Sequence, residues 1–330
     1  MQKQVQSLPA DKDNSISCIR LISMIMILLC HFFQYYGNEL AWWLNIGVQI
    51  FFVVSGFLYG NKEIDDPIKF IKKQFKKILI PYYLFIVPVV LFHVLFVKKG
   101  IGLSSVLKLF FCVGTIDGIE HLWFVGYILF CYIITPYLYW FRKKVENRSL
   151  SKSIALCIVF LAGIIVLTTL MDFYFVASRF CCYIIGYFVA IFYRGYKYKA
   201  IHVLSIIFGL TAIPINLIRI CFKYTNILPK IELINKILNF TEPYAHLLLG
   251  VFLFLIMYII FGNLKTGFAV KISDKYSYYV YIVHQVFVLG PFSLMALTNH
   301  VVLNYVIIAL AICGTAVALY SVSTRILKKI

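Results

Sequence analysis

Two ionisable residues stand inside the first apolar run of the chain, Arg20 and His31. Eleven helical residues rise roughly 16 Å and turn about 1100°, which is three turns and roughly 20° more, so the two side chains fall on one helix face. A charged group in hydrocarbon costs several kcal/mol unless it faces protein or water, so an embedded pair of this kind is a functional candidate at the outset. The imidazole of His31 can exchange a proton near neutral pH and suits proton abstraction. The plainer alternative is an arginine that snorkels to lipid headgroups and a histidine hydrogen-bonded inside a bundle.

The elements that must position this pair follow from composition. Of 330 residues, 62% are hydrophobic and 13% charged, and mean hydropathy is +0.90. A soluble domain runs nearer half apolar and about a quarter charged, so a soluble enzyme, a disordered chain and a disulfide-stapled module are all excluded. A helix needs roughly 20 apolar residues to cross a bilayer. Ten runs of about that length occur, at 16–34, 41–59, 78–97, 122–141, 154–170, 176–192, 201–220, 244–261, 278–297 and 301–322. The expected fold is all-α, a polytopic integral membrane bundle of about ten helices. Residues 1–15 form an N-terminal segment, 16–325 the membrane domain and 326–330 a tail. The first run lacks a small-residue cleavage site and reads as retained rather than as a cleaved signal peptide.

The net charge of +18 would suggest nucleic acid in a soluble protein, but here 22 of the 31 basic residues fall in alternate loops beginning with the N-terminus. Basic residues resist translocation, so both termini are expected to be cytoplasmic and no nucleic-acid partner is expected. Around Lys230 to Lys236 a short amphipathic helix is expected on the outer face. The nine cysteines show no C-x-x-C spacing and read as small buried hydrophobes.

Arg20, ten residues and His31 resemble the first-helix signature of acyltransferase family three, the ten-span membrane O-acyltransferases of bacterial surface polysaccharides. NIGVQIFFVVSGFLYG, with Phe51, Phe52, Ser55, Gly56 and Phe57, is similar to the family's second-helix motif. HLWFVGYILFCYIITPYL from His121, the run Arg179 to Gly186, and SYYVYIVHQVFV with Tyr281 and His284 extend the resemblance in order along most of the chain. Two departures stand out: Gln49 occupies a position where many relatives carry an acidic residue, and the basic patch before the third span is all lysine.

The resemblance implies acyl transfer, most simply acetyl, from a cytosolic acyl-CoA to a hydroxyl of a surface glycan or its lipid-linked precursor in the bacterial cytoplasmic membrane. The implied partners are membrane lipids, the glycan acceptor, acyl-CoA and polysaccharide-assembly proteins. Acetyl-CoA or another short acyl-CoA is the donor substrate, and no bound cofactor is expected. Such chemistry needs a base for the hydroxyl proton and donors for the oxyanion. His31 is the candidate base, or alternatively a nucleophile that carries the acyl group. Arg20 with Lys72, Lys73, Lys76 and Lys77 is a candidate cradle for donor phosphates, although those lysines also suffice as topology determinants. Glu120, His121 and Trp123 could orient His31 or hold acceptor hydroxyls, and the interfacial aromatic belt is the plainer home for Trp123. Ser55 could donate to an oxyanion or serve close helix packing, and Arg179 could anchor an anionic acceptor or snorkel. Tyr281 and His284 are embedded polar groups of open role. No helical H-E-x-x-H spacing and no G-x-S-x-G elbow occur, so no metal site and no serine-hydrolase mechanism is expected. Transport or flipping of a glycan intermediate is the competing reading. Some relatives carry a further C-terminal soluble domain; here the membrane domain or a separate partner is expected to serve the acceptor.

Overall fold

A computed structural model describes residues 14–97, 101–146, 148–171, 173–224, 232–262 and 267–330, so most of the expected N-terminal segment lies outside the described residues. Every regular element among them is a helix: α1 (Asn14–Tyr35), α2 (Leu40–Leu44), α3 (Ile46–Gly60), α4 (Pro67–Phe96), α5 (Leu103–Phe110), α6 (Trp123–Glu146), α7 (Leu150–Leu170), α8 (Tyr174–Tyr196), α9 (Tyr198–Tyr224), α10 (Glu232–Phe261), α11 (Phe268–Val288) and α12 (Val301–Lys329). A single 3₁₀ turn, Glu120–Leu122, precedes α6. Among the described residues nine helical stretches are long and apolar enough to cross a membrane. The chain is a multi-pass helical membrane protein, as hydrocarbon demands of a backbone that must satisfy its own hydrogen bonds.

Two expectations change. The run at 278–297 is instead α11, which starts ten residues earlier at Phe268 and stops at Val288. It opens with Lys271, Asp274 and Lys275, which keep it out of the apolar set. It ends where Gly290 takes φ +80° and Pro291 follows, a left-handed stop backed by a residue that cannot continue a helix. The amphipathic helix expected near Lys236 is the first turn of α10. Glu232 pairs with Lys236 at 2.7 Å, one turn apart, and the helix runs on through the buried Pro243; Lys230 lies outside the described residues.

At its start α4 is capped by Asp66, whose carboxylate accepts the Lys69 N–H at 2.9 Å, with Pro67 at the first helical position. Thirty residues make a helix about 45 Å long, against a hydrocarbon core of about 30 Å. The lysine-rich first turns of α4 are the excess.

The described residues divide into two compact units, each assembled from separate stretches. One takes in the residues up to Ser23, Ile46–Glu63 and Thr135–Val270. Its core is the packing of α3 on α8. A Cβ added at Gly56 would stand 1.9 Å from the Tyr183 carbonyl oxygen, one at Gly60 2.6 Å from Ala190 Cβ, and one at Gly186 2.2 Å from the Val53 carbonyl oxygen. This is the small-residue seam that lets membrane helices touch backbone to backbone. Beside it Arg142, wholly buried, donates to the carbonyls of Gly60 (2.7 Å) and Lys62 (3.0 Å) and to Glu63 Oε1 (2.7 Å). Arg194 also reaches Glu63 (3.1 Å) and Glu146 (3.4 Å), and Tyr139 donates to Glu63 Oε2 at 2.7 Å.

The other unit takes in Met24–Asn45, Ile64–Ile134 and Lys271–Ile330. Here α12 packs on α4. Tyr278 donates to the Ile78 carbonyl at 2.9 Å and Tyr83 to the Phe110 carbonyl at 2.9 Å. The irregular stretch between α11 and α12 is tied down by buried Asn304, which donates to the carbonyls of Met295 and Thr298, both at 2.9 Å, and accepts from the Thr298 N–H at 2.9 Å. A satisfied buried amide of this kind fixes a loop without secondary structure.

Candidate active site

The second unit gathers three imidazoles from three separate stretches of chain. α1 presents His31, half-buried, with Nδ1 2.9 Å from Gln34 Oε1 one turn later. The 3₁₀ turn before α6 presents His121, and α11 presents His284; both are buried. Ring centroids lie 5.0 Å apart for His31 and His284, 4.6 Å for His121 and His284, and 6.2 Å for His31 and His121.

α11 grips His121 from three positions. The His121 backbone N–H donates to Gln285 Oε1 at 2.7 Å, and Nδ1 stands 2.5 Å from the same atom. A backbone N–H can only donate, so that atom is the amide oxygen and Nδ1 donates to it as well. Nε2 faces the Ile282 carbonyl at 3.0 Å. Tyr281 completes the grip, its hydroxyl donating to the His121 carbonyl. Both ring nitrogens of His121 therefore face acceptors. Three histidines at a metal must each turn a lone pair to one point; His121 Nδ1 donates to Gln285 and its Nε2 is turned to the Ile282 carbonyl, so the cluster does not fit a metal. Among the described residues no group of three His, Cys, Asp or Glu is placed to hold one. In His284, Nδ1 lies 2.7 Å from the Tyr281 carbonyl oxygen, which fixes the hydrogen on Nδ1.

A backbone joint holds the two histidine-bearing stretches together. Gly118 and Gly290 take φ +84° and +80°, and a Cβ on Gly290 would stand 2.3 Å from Gly118 Cα. Three residues after Gly118 comes His121, and six before Gly290 comes His284.

Other residues singled out in the sequence are placed as follows. Tyr281 is part of the cluster. Glu120 is exposed and its carboxylate accepts the Gly118 N–H at 3.2 Å, turned back on its own turn. Trp123 is half-buried with its ring against Tyr127 at 5.1 Å. Lys72, Lys73, Lys76 and Lys77 are all exposed on the first turns of α4, beside the buried Gln74. Arg20, Ser55 and Arg179 belong to the other unit. Arg20 is half-buried on α1, three turns before His31 in the same continuous helix. Ser55 is half-buried beside Gly56 in the glycine seam, and Arg179 is half-buried on α8. Sequence reasoning missed Gln34, Gln285 and the two glycines. Gln285 had a signal, since it directly follows His284 within an otherwise apolar run.

A half-buried imidazole flanked by two buried ones, with no metal geometry, suits proton and group transfer more than metal chemistry. Comparison with curated proteins and with solved structures returns no match. The model of one family, acyltransferase family 3, described as an acyltransferase domain, matches residues 13–321. That match spans the stretches supplying His31, His121 and His284 and nearly all the rest of the chain, so this multi-pass membrane protein belongs to acyltransferase family 3.

Proposed function

We propose that this membrane acyltransferase is an O-acyltransferase. It moves an acetyl group, or another short acyl group such as succinyl, from cytosolic acyl-CoA to a hydroxyl of a surface polysaccharide or its lipid-linked precursor. The observation that carries the reading is the half-buried ring of His31 beside two buried imidazoles whose hydrogen bonds hold them in place. Such pre-set geometry is what group transfer rewards, because the reacting atoms need no further ordering.

In the transfer the acceptor oxygen forms a bond to the thioester carbonyl carbon, the carbon–sulfur bond breaks, and CoA leaves as thiolate. The hydroxyl proton must go to a base. Two routes are consistent with His31: it takes that proton directly, or it attacks the thioester first and holds the acyl group until the hydroxyl arrives. The exposed lysines of α4 are the proposed docking ground for the CoA phosphates, with Arg20 guiding the donor along α1. The enzyme acts in the bacterial cytoplasmic membrane with both termini inside, where acyl-CoA is available, and polysaccharide-assembly proteins are its proposed neighbours.

The test uses the full chain in lipid nanodiscs with acetyl-CoA, and release of free CoA is followed for wild type and His31→Ala. The expected result is a fall of about 100-fold or more in His31→Ala, the range for loss of a general base or nucleophile. Equal release by the two proteins removes His31 from the chemistry. No release by wild type, together with movement of a glycan across the bilayer, points to transport instead.

A further inference from the structure

His284 carries a buried lone pair that nothing in its surroundings uses. Its Nδ1 is committed as donor to the Tyr281 carbonyl on its own helix, which leaves Nε2 as an acceptor facing away from the α11 backbone. The side chain is fully buried, and Nε2 has no hydrogen-bond partner. Native proteins rarely leave such an atom unsatisfied, and those that do tend to use it. Tyr281 and two imidazoles stand around the ring, and neither imidazole fills the vacancy. His121 has both nitrogens turned to the Gln285 and Ile282 oxygens, and His31 spends Nδ1 on Gln34. At 5.0 Å between centroids and a 40° tilt, His31 and His284 face each other without a direct hydrogen bond. His31 is the half-exposed ring of the two and His284 the buried one, with their centroids 5.0 Å apart, within reach of a group held at His31.

We infer that His284 is a second catalytic imidazole, whose Nε2 takes the proton of the acceptor hydroxyl while His31 carries the acyl group. The inference rests on the O-acyl transfer proposed above and decides between its two routes. In the first step a ring nitrogen of His31 forms a bond to the thioester carbonyl carbon, the carbon–sulfur bond breaks, and CoA leaves as thiolate. In the second, the acceptor oxygen bonds to the acyl carbon, its proton passes to His284 Nε2, and the bond from carbon to His31 breaks, returning His31 to its neutral state. The proton on His284 then leaves to solvent or to the thiolate, so the sum is ester plus free thiol. Dividing the work explains why one imidazole is open to the donor while the other is enclosed with its tautomer set by its own helix.

The test labels the full chain in nanodiscs with acetyl-CoA carrying a radioactive acetyl group, then chases with octyl β-D-glucoside as a sugar-hydroxyl probe. Wild type is expected to take up label on His31 and lose it to the glucoside. His284→Ala is expected to take up label at a similar rate but to lose it about 100-fold more slowly, the scale of a missing general base. Added imidazoles, entering the space vacated by the ring, should restore the chase, faster for more basic members of the series. A structural defect would show no such dependence. His284→Gln, which keeps a polar side chain for the Tyr281 carbonyl without a basic lone pair, should show the same slow chase if the alanine variant does not fold. A wild-type chase rate in either variant, or slow chase with no rescue in a folded His284→Ala, overturns the role of His284. Transfer by wild type with no label on His31 overturns the division of labour while leaving O-acyl transfer standing. No CoA release by wild type overturns the transfer reading itself.

Discussion

Arg142 is the largest side chain wholly enclosed in its unit, and its charge is met by Glu63 and Glu146 and by two backbone carbonyls. Removing one partner from such a pair leaves an uncompensated buried charge and costs about 3 kcal/mol in typical cases. The cost here falls at or below that, because Glu63 is itself 46% exposed. Partial burial works against the charged Glu63 carboxylate, but hydrogen bonds from Tyr139 and Lys143 and the charges of Arg142 and Lys143 outweigh it and hold the group down at about 2. A carboxyl lowered by folding contributes stability above its ordinary value of 4.5 and loses it as pH falls toward about 2. The thermal midpoint of wild type in detergent should therefore drop more steeply across that window than that of Glu63→Gln. Parallel curves would show that the network adds nothing. At this scale the sequence was half legible. The spacing of Arg20 and His31 drew attention to one imidazole of the cluster, yet Arg142 was no more than one of the basic residues counted outside the apolar runs. Its burial depends on carbonyls far away in the chain, at Gly60 and Lys62, which no local pattern announces.

Elements decide which residues meet. His121 and His284 flank His31 because Gly118 and Gly290 let two backbones touch, and a side chain there has no room. Gly290→Ala adds a strained positive φ, worth about 1 kcal/mol, and a clash with backbone atoms that cannot swing aside. We expect a lower melting temperature and at least a 10-fold loss of CoA release. Gly314→Ala, on α12 where a Cβ meets open space, should leave both unchanged, and equal behaviour of the two variants would sink the account. The start of α4 carries a second prediction. Exposed charge pairs are worth roughly 0.2–1 kcal/mol each, so replacing Lys72, Lys73, Lys76 and Lys77 together by Gln should weaken acetyl-CoA binding about 10-fold or more. An unchanged Kd would leave these lysines as topology signals only. Helix existence was legible from apolar length, whereas the extents of α10 and α11 were not. Charged residues opening a helix look like loop in a hydropathy scan, as Glu232 and Lys236 did, and Pro243 does not break a helix whose neighbours cover it.

For the whole molecule, composition already dictated a multi-pass helical protein, and the described helices accord with it. Its division into two units was not legible, because each unit is drawn from discontinuous stretches and α1, α6 and α11 contribute to both. The distribution of basic residues still predicts an orientation. Green fluorescent protein joined after Ile330 should fluoresce in bacterial cells, and alkaline phosphatase at the same place should be inactive; the reverse pattern would invert the topology. One consequence reaches across all scales. The contact between Gly118 and Gly290 is made by backbone atoms, so no side-chain substitution outside the two glycines removes it. The Glu120 carboxylate, which accepts the Gly118 N–H, is the route by which acid can loosen one side of that contact.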